Sequence, residues 1–230
     1  MGKLIVENKT IVVPGETLAE GMDYLPGNGT YRIGEKILAE KLGLVNVDGR
    51  ALKLIPLAGR YSPKINDTII AKVIDVTLNG WRLETNSAYT AMLPVKDATA
   101  QYIARGANLT AFFDIGDHVV AKITNVTSQK LVDVSTKGPG LRKLAGGRII
   151  GVNPYKVPRI IGKQGSMVSM IKDATNCKIT VGQNGFIWID GEPKEILRAV
   201  NAVRMIDENS HMKGLTDKVK EFLQVGGEAK

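Results

Sequence analysis

The chain has 230 residues, 43% of them hydrophobic, and a formal charge of +8, which suits two or three small folded domains and is too apolar for a disordered chain. No apolar run reaches the roughly 18 residues of a membrane span, and MGKLIVENKT lacks the apolar stretch of a secretory signal, so a cytoplasmic protein with no membrane contact is expected. A single cysteine, Cys177, and two distant histidines, His118 and His211, exclude an internal disulfide and leave no side-chain set for zinc; neither metal nor cofactor is expected.

Residues 1–60 are punctuated by Pro14-Gly15, Gly27-Asn28-Gly29 and Asp48-Gly49, with apolar bursts at 11–13, 31–33 and 51–55 between them. That pattern predicts a small β-rich module. KILAEKLGL at 36–44 also has helical propensity, so a helix there stays open. With eight basic and seven acidic side chains the module is near neutral, better suited to protein contact than to a polyanion.

In residues 61–137, INDTIIAKVIDV (65–76) and IGDHVVAKITNV (115–126) match at Ile, Asp, Ala-Lys and the final Val, fifty residues apart. Asp67 and Asp117 each close a turn ahead of a β-branched run, so one strand type occurs twice. WRLE (81–84), YTAMLPV (89–95) and LVDVST (131–136) bring the strand candidates to five, which predicts a small closed barrel.

Gly138-Pro139-Gly140 opens a linker over 138–147, after which the period changes. RIIGV (148–152) reads as a strand, VNPYKVPRII (152–161) as a short helix, and SMVSMIKDAT (166–175) as a helix with Met167, Ile171 and Ala174 on one face. CKITV and FIWID are strands about the hairpin signal GQNG (182–185), with Cys177 in phase with Ile179 and Val181 as a core residue. A helix follows, with Ile196, Val200, Val203 and Ile206 or Met205 along one stripe. This domain covers 148–210; in the tail, 211–230, Leu215, Val219 and Phe222 have helical spacing, and docking or fraying are both open.

The charge excess lies late in the chain. Residues 138–178 hold eight basic side chains against Asp173 alone, a patch for a polyanion or else a solvated face. Within it, RIIGKQGSMV (159–168) sets two glycines between helices, where each glycine costs roughly 1 kcal/mol against alanine. Gly162 and Gly165 leave no Cβ to hold off a nucleic-acid backbone, and the next helix offers free N–H groups to a phosphate. Lys163 beside Gln164 adds charge, with Arg159 one turn earlier; the loop is a candidate clamp for about four nucleotides.

Residues 148–208, through VPRIIGKQGSMVSMIKDATNCKITV and GFIWIDG, resemble a type I KH domain, and residues 62–137 resemble an S-one type OB-fold RNA-binding domain. The second resemblance implies base stacking on Trp81, which follows the turn glycine Gly80, with Tyr89 second; packing of Trp81 on a neighbouring domain is the competing reading. Pro94 replaces the histidine that often follows the third strand in that family, and Lys96 and Arg105 in the ensuing loop are candidate phosphate contacts. With IVVPGETLAEG, GNGTYRIGEKI and ALKLIPLAGRYSPKINDTIIAKV, nearly the whole chain is similar to the RNA-binding cap subunit of the archaeal exosome. The fold class is therefore multidomain α+β: a small N-terminal β domain, a five-stranded OB barrel and a C-terminal βααββα KH domain.

The resemblance implies a partner for single-stranded RNA that sits, in three copies, on a ring of RNase PH-like subunits and guides the RNA 3′ end toward the pore for degradation. No catalysis is expected from this chain: Asp67, Asp75, Asp114, Asp117 and Asp133 are scattered over turns and strand ends without a paired histidine. A transcription-elongation or ribosome-associated RNA-binding factor is the alternative.

Overall fold

A computed structural model describes residues 2–104, 106–210, 212 and 214–225. The chain divides into two units, Met1–Gly59 and Arg60–Lys230.

In the first unit the apolar bursts become short strands: β1 (Lys3–Leu4), β2 (Ile11–Val12), β3 (Thr17–Glu20), β4 (Leu25–Pro26), β5 (Thr30–Ile33), β6 (Lys36–Ala39), β7 (Gly43–Asp48) and β8 (Ala51–Pro56). They form two four-stranded sheets, in the orders β1-β3-β6-β5 and β2-β7-β8-β4. Val12, Leu18, Ile37, Val45, Leu52 and Leu54 from both sheets meet in one core. The helical option at 36–44 is not taken. Ile37 and Ala39 alternate inward while Lys36 and Leu38 alternate outward, and β6 pairs with β3 and β5, so period 2 with cross-strand bonds overrides helix propensity.

The second unit begins with the barrel: β9 (Thr68–Thr77), β10 (Gly80–Glu84), β11 (Thr90–Pro94), the short α1 (Val95–Ala98), β12 (His118–Val126) and β13 (Val132–Ser135). The order β13-β11-β10-β9-β12 closes on itself through β12 and β13. The two similar sequence segments are antiparallel partners: β9 pairs with β12 in the register Ile69↔Ala121, Ala71↔Val119 and Lys72↔His118. Their common inward parity fills the barrel with Ile69, Ala71, Val73, Val119, Ala121 and Ile123. At the entry to β9 the Tyr61 hydroxyl donates to Asp67 at 2.5 Å, and burial together with that carboxylate pushes the phenol pKa up.

The segment expected to be a linker contains a strand, β14 (Lys143–Leu144), paired with β12 at the barrel edge. Lys143 forms an ion pair with Asp117. Burial pushes the Asp117 carboxyl up, but the bonds from Lys143 and the Asp114 amide outweigh it and leave the carboxyl below its ordinary range.

Beyond it lie β15 (Arg148–Gly151), a 3-10 turn at Pro154–Lys156, α2 (Val157–Ile161), α3 (Ser166–Thr175), β16 (Lys178–Val181), β17 (Phe186–Asp190), α4 (Pro193–Glu208) and α5 (Leu215–Val225). The expected helix over 152–161 is shorter, because Pro154 and Pro158 confine it to a 3-10 turn and five α-helical residues. The antiparallel sheet has the order β15-β17-β16. Ile179, Ile187 and Ile189 pack on Val157, Ile160, Met167 and Ile171 of the helix pair and on Val200, Val203 and Ile206 of α4. Cys177 is buried there as a free thiol. Ala174 is exposed; Thr175 takes its expected inward place and its hydroxyl donates to the Ile171 carbonyl at 2.7 Å. The tail docks as α5, burying Leu215, Val219 and Leu223 on the same core, while Phe222 stays partly exposed; residues 226–230 and His211 lie outside the described residues.

The other face of this sheet is covered by the barrel. Trp188 packs with Ile70, Val120 and Leu144, its indole N–H donates to the Gly146 carbonyl at 2.9 Å, and Arg142 lies 5.4 Å over its ring. The β16–β17 turn enters the barrel as well. Asn184, fully buried, accepts from the Ile70 N–H at 3.2 Å and donates to the Ile70 and Thr85 carbonyls at 2.7 and 2.9 Å. Asn86 donates back to the Asn184 carbonyl at 2.8 Å.

Candidate nucleic-acid interface

The α2–α3 junction is built from backbone conformations that few side chains tolerate. The α-helix stops where the Gly162 N–H reaches the Pro158 carbonyl at 3.0 Å, and Gly162 itself has φ +75° and ψ 176°. A Cβ there would lie 2.7 Å from Met167 Cβ and 2.8 Å from its amide nitrogen. Gln164 and Gly165 follow in the left-handed region, at φ 53° and 80°. A Cβ on Gly165 would meet nothing within 4 Å, so that glycine opens onto free space, where a sugar-phosphate chain can approach.

No side chain caps α3, a ten-residue helix, which leaves the positive end of its dipole for an anion. Lys163 and Gln164 are exposed at the apex. Arg159 is exposed on α2, making one long hydrogen bond of 3.5 Å to the Met212 carbonyl. The five residues expected as a clamp are thus together on one short loop and the helix that leads into it.

Not all of the basic cluster is free to meet a ligand. Lys143 is paired with Asp117, Lys156 with Asp207, and Arg142 is seated on Trp188. Arg148, Arg159, Lys163, Lys172 and Lys178 make no ion pair among the described residues. Residues 1–59 carry seven basic and seven acidic side chains, so the whole formal charge of +8 falls on the second unit.

The barrel corrects the expectation for Trp81. Its side chain is 0% exposed, its indole N–H donates to the Phe113 carbonyl at 2.8 Å, and its ring meets Phe113 edge-on at 5.2 Å. It is core of its own barrel, neither a stacking platform nor a contact to another domain. The signal was in WRLE: Trp81 and Leu83 share one parity and point inward, Arg82 and Glu84 share the other and point out.

On the outer face, the register aligns Asp133, Met92, Arg82 and Asp75 in one row across four strands, with Thr90, Glu84 and Lys72 in the next. This face has mixed charge and no aromatic side chain. Tyr89 is 40% exposed in the β10–β11 turn, beside the Asn86–Asn184 contact. Lys96 is exposed on α1, lining a pocket at the end of the barrel far along the chain from the glycine loop. Arg105 lies outside the described residues. Asn184 escaped sequence reading because GQNG signals a turn regardless of what the asparagine amide bonds to.

Residues 147–205 match the family model of the KH domain, and residues 9–58 that of the exosome RNA binding protein RRP4 N-terminal domain. Over 221 residues, 96% of the chain and 97% of the relative, the sequence is 44% identical to the exosome complex component Rrp4 of Methanothermus fervidus. The chain belongs to the Rrp4 family of exosome complex components. Its identity to the Rrp4 component of Pyrococcus horikoshii is 40% over 97% of the chain and 85% of the relative. A crystal structure named for an exosome complex RNA-binding protein aligns with a TM-score of 0.67 at 29% identity, over 74% of this chain and 98% of that one. In this Rrp4-family chain, then, the glycine loop belongs to a KH domain whose open sheet face is closed by an OB barrel. Among the described residues no helix is long and apolar enough to cross a membrane.

Proposed function

We propose that this Rrp4-family chain is the non-catalytic RNA-binding cap of an exosome in the cytoplasm. Residues 60–230 recruit single-stranded RNA, chiefly through Arg159 and the loop Gly162-Lys163-Gln164-Gly165, with Tyr89 and Lys96 as further contacts. Residues 1–59 seat the subunit on a ring of RNase PH-like subunits, three copies per ring, so that the RNA 3′ end is led to the central pore and degraded by the ring. The observation that carries the RNA reading is the exposed glycine loop at an uncapped helix start, on the unit that holds all of the net charge.

The docking role of the first unit is supported by its surface. It is neutral, and among the described residues it holds half of the exposed large hydrophobic side chains, with Ile11, Leu44 and Ile55 in one cross-strand row.

The structure dictates which variant tests the loop. Aspartate at Gly162 would strike Met167 and confound binding with folding, whereas Lys163→Asp with Gln164→Asp alters only exposed side chains, and aspartate tolerates the left-handed backbone at 164. The double variant is expected to lose roughly tenfold or more in affinity for single-stranded oligonucleotides at low salt, with an unchanged melting temperature. Equal affinity across a salt series would remove the loop from RNA binding. Native mass spectrometry of the endogenous protein is expected to show it with RNase PH-like subunits; a free monomer, or one bound to RNA polymerase or ribosomes, would overturn the cap assignment.

A further inference from the structure

With Trp81 sealed in the core and acids on the strand face, the barrel has no stacking surface where its fold class would offer one. It does have a pocket of about 730 Å³ at one end, between the β9–β10 turn, the start of α1 and the loop that follows. Val76, Val95, Ile103 and Leu109 give it apolar walls, and Lys96 is the only charged side chain among the described lining residues.

Two polar groups face the same space. Asn79 lies in the β9–β10 turn, and Asn108 has its carbonyl oxygen fixed by the Thr110 N–H and hydroxyl at 3.1 and 2.7 Å, which leaves its NH₂ to donate. At the rim Leu78 is 96% exposed, and Tyr102, next in the chain to Ile103, is 90% exposed. A flat apolar ring with a polar edge and an attached anion satisfies this combination: apolar walls, amide donors, one cation and an uncovered aromatic. The volume falls within the roughly 300–1,000 Å³ of small-ligand sites, enough for a base with its ribose.

We propose that this pocket takes one unstacked nucleobase of single-stranded RNA, with Tyr102 stacking on a base at its rim and Lys96 meeting the adjoining phosphate. The site is separate from the glycine loop and rests on the RNA-binding reading of the second unit. Stacking is sequence-tolerant because every base has a π face, so the pocket adds hold without demanding a particular base.

The test is anisotropy titration of the full chain with a labelled single-stranded oligonucleotide, for Tyr102→Ala, Tyr102→Phe and Lys96→Gln, folding being checked by circular dichroism. Tyr102→Ala is expected to weaken binding roughly five- to hundredfold and Tyr102→Phe to retain it. Lys96→Gln is expected to lower the slope of log affinity against log salt by about one. Oligonucleotides with one abasic position should bind the wild type less tightly but be no worse than intact RNA for Tyr102→Ala. If Tyr102→Ala binds RNA as the wild type does while Lys163→Asp with Gln164→Asp does not, the pocket proposal fails and RNA binding stands. If the wild type binds no RNA, the parent reading fails instead. Loss of ring subunits from Tyr102→Ala at unchanged RNA affinity would make the pocket a protein contact and also overturn the proposal.

Discussion

Asn184 is the residue whose identity the structure constrains most tightly. Its amide satisfies the Ile70 N–H and the carbonyls of Ile70 and Thr85 in the dry space between the KH turn and the barrel, and no other side chain of its size both accepts and donates in that way. Alanine would leave buried backbone groups unpaired at about 1–3 kcal/mol each. Asn184→Ala should therefore lower stability by roughly 3 kcal/mol, read as a fall in the urea midpoint of the second unit. Asn184→Asp should cost more, since a carboxylate would face two carbonyl oxygens. A change below about 0.5 kcal/mol, the range of an ordinary surface substitution, would show that the turn does not fasten the two domains. Trp81 makes the same point from the core side: an aromatic after a turn glycine is equally consistent with stacking and with packing, and only the Phe113 contacts decide.

Among the elements, α5 shows how a stripe of three residues fixes a helix that propensity leaves undecided. Leu215, Val219 and Leu223 fall four apart and are buried, whereas Phe222 lies off the stripe and is 37% exposed. Arg198 of α4 reinforces the dock, holding Glu195 at 2.8 Å and donating to the Leu223 carbonyl at the end of α5. Val219→Asp should destabilise the KH domain by about 3 kcal/mol or more, while Phe222→Ser should stay within about 1 kcal/mol, both read by thermal unfolding. Equal effects would mean that α5 does not dock by this stripe. The same logic explains β14. The composition of 138–147 signals a linker, yet Lys143 and Leu144 continue the sheet beside β12 because Asp117 and Trp188 are there to receive them.

At the scale of the whole molecule, charge and apolar surface are segregated. The first unit is neutral with exposed apolar rows, and the second holds the net charge. RNA affinity should therefore fall log-linearly with salt, because released counterions drive the binding. Neutralising Arg159 or Lys163 should reduce that slope by about one each, whereas Lys3→Gln with Lys9→Gln in the first unit should leave it unchanged, measured by the same titrations. A slope that responded to Lys3 and Lys9 instead would place RNA on the first unit.

The sequence by itself determined the domain order, the paired strand repeats, the parity of the barrel strands and the glycine clamp, because each is a local pattern of spacing, turn residues and charge. It also contained the inward parity of Trp81, in the alternation Trp81-Arg82-Leu83-Glu84. Only the tertiary structure decided that the barrel covers the open face of the KH sheet, that Asn184 is buried in the seam, and that Arg142, Lys143 and Lys156 hold the fold together while Lys163 is left exposed. Those outcomes depend on contacts between residues far apart in the chain, such as Asn184 with Ile70 and Trp188 with Val120. Neither propensity nor periodicity carries information about the partner across such a contact, because both are set by neighbours along the chain.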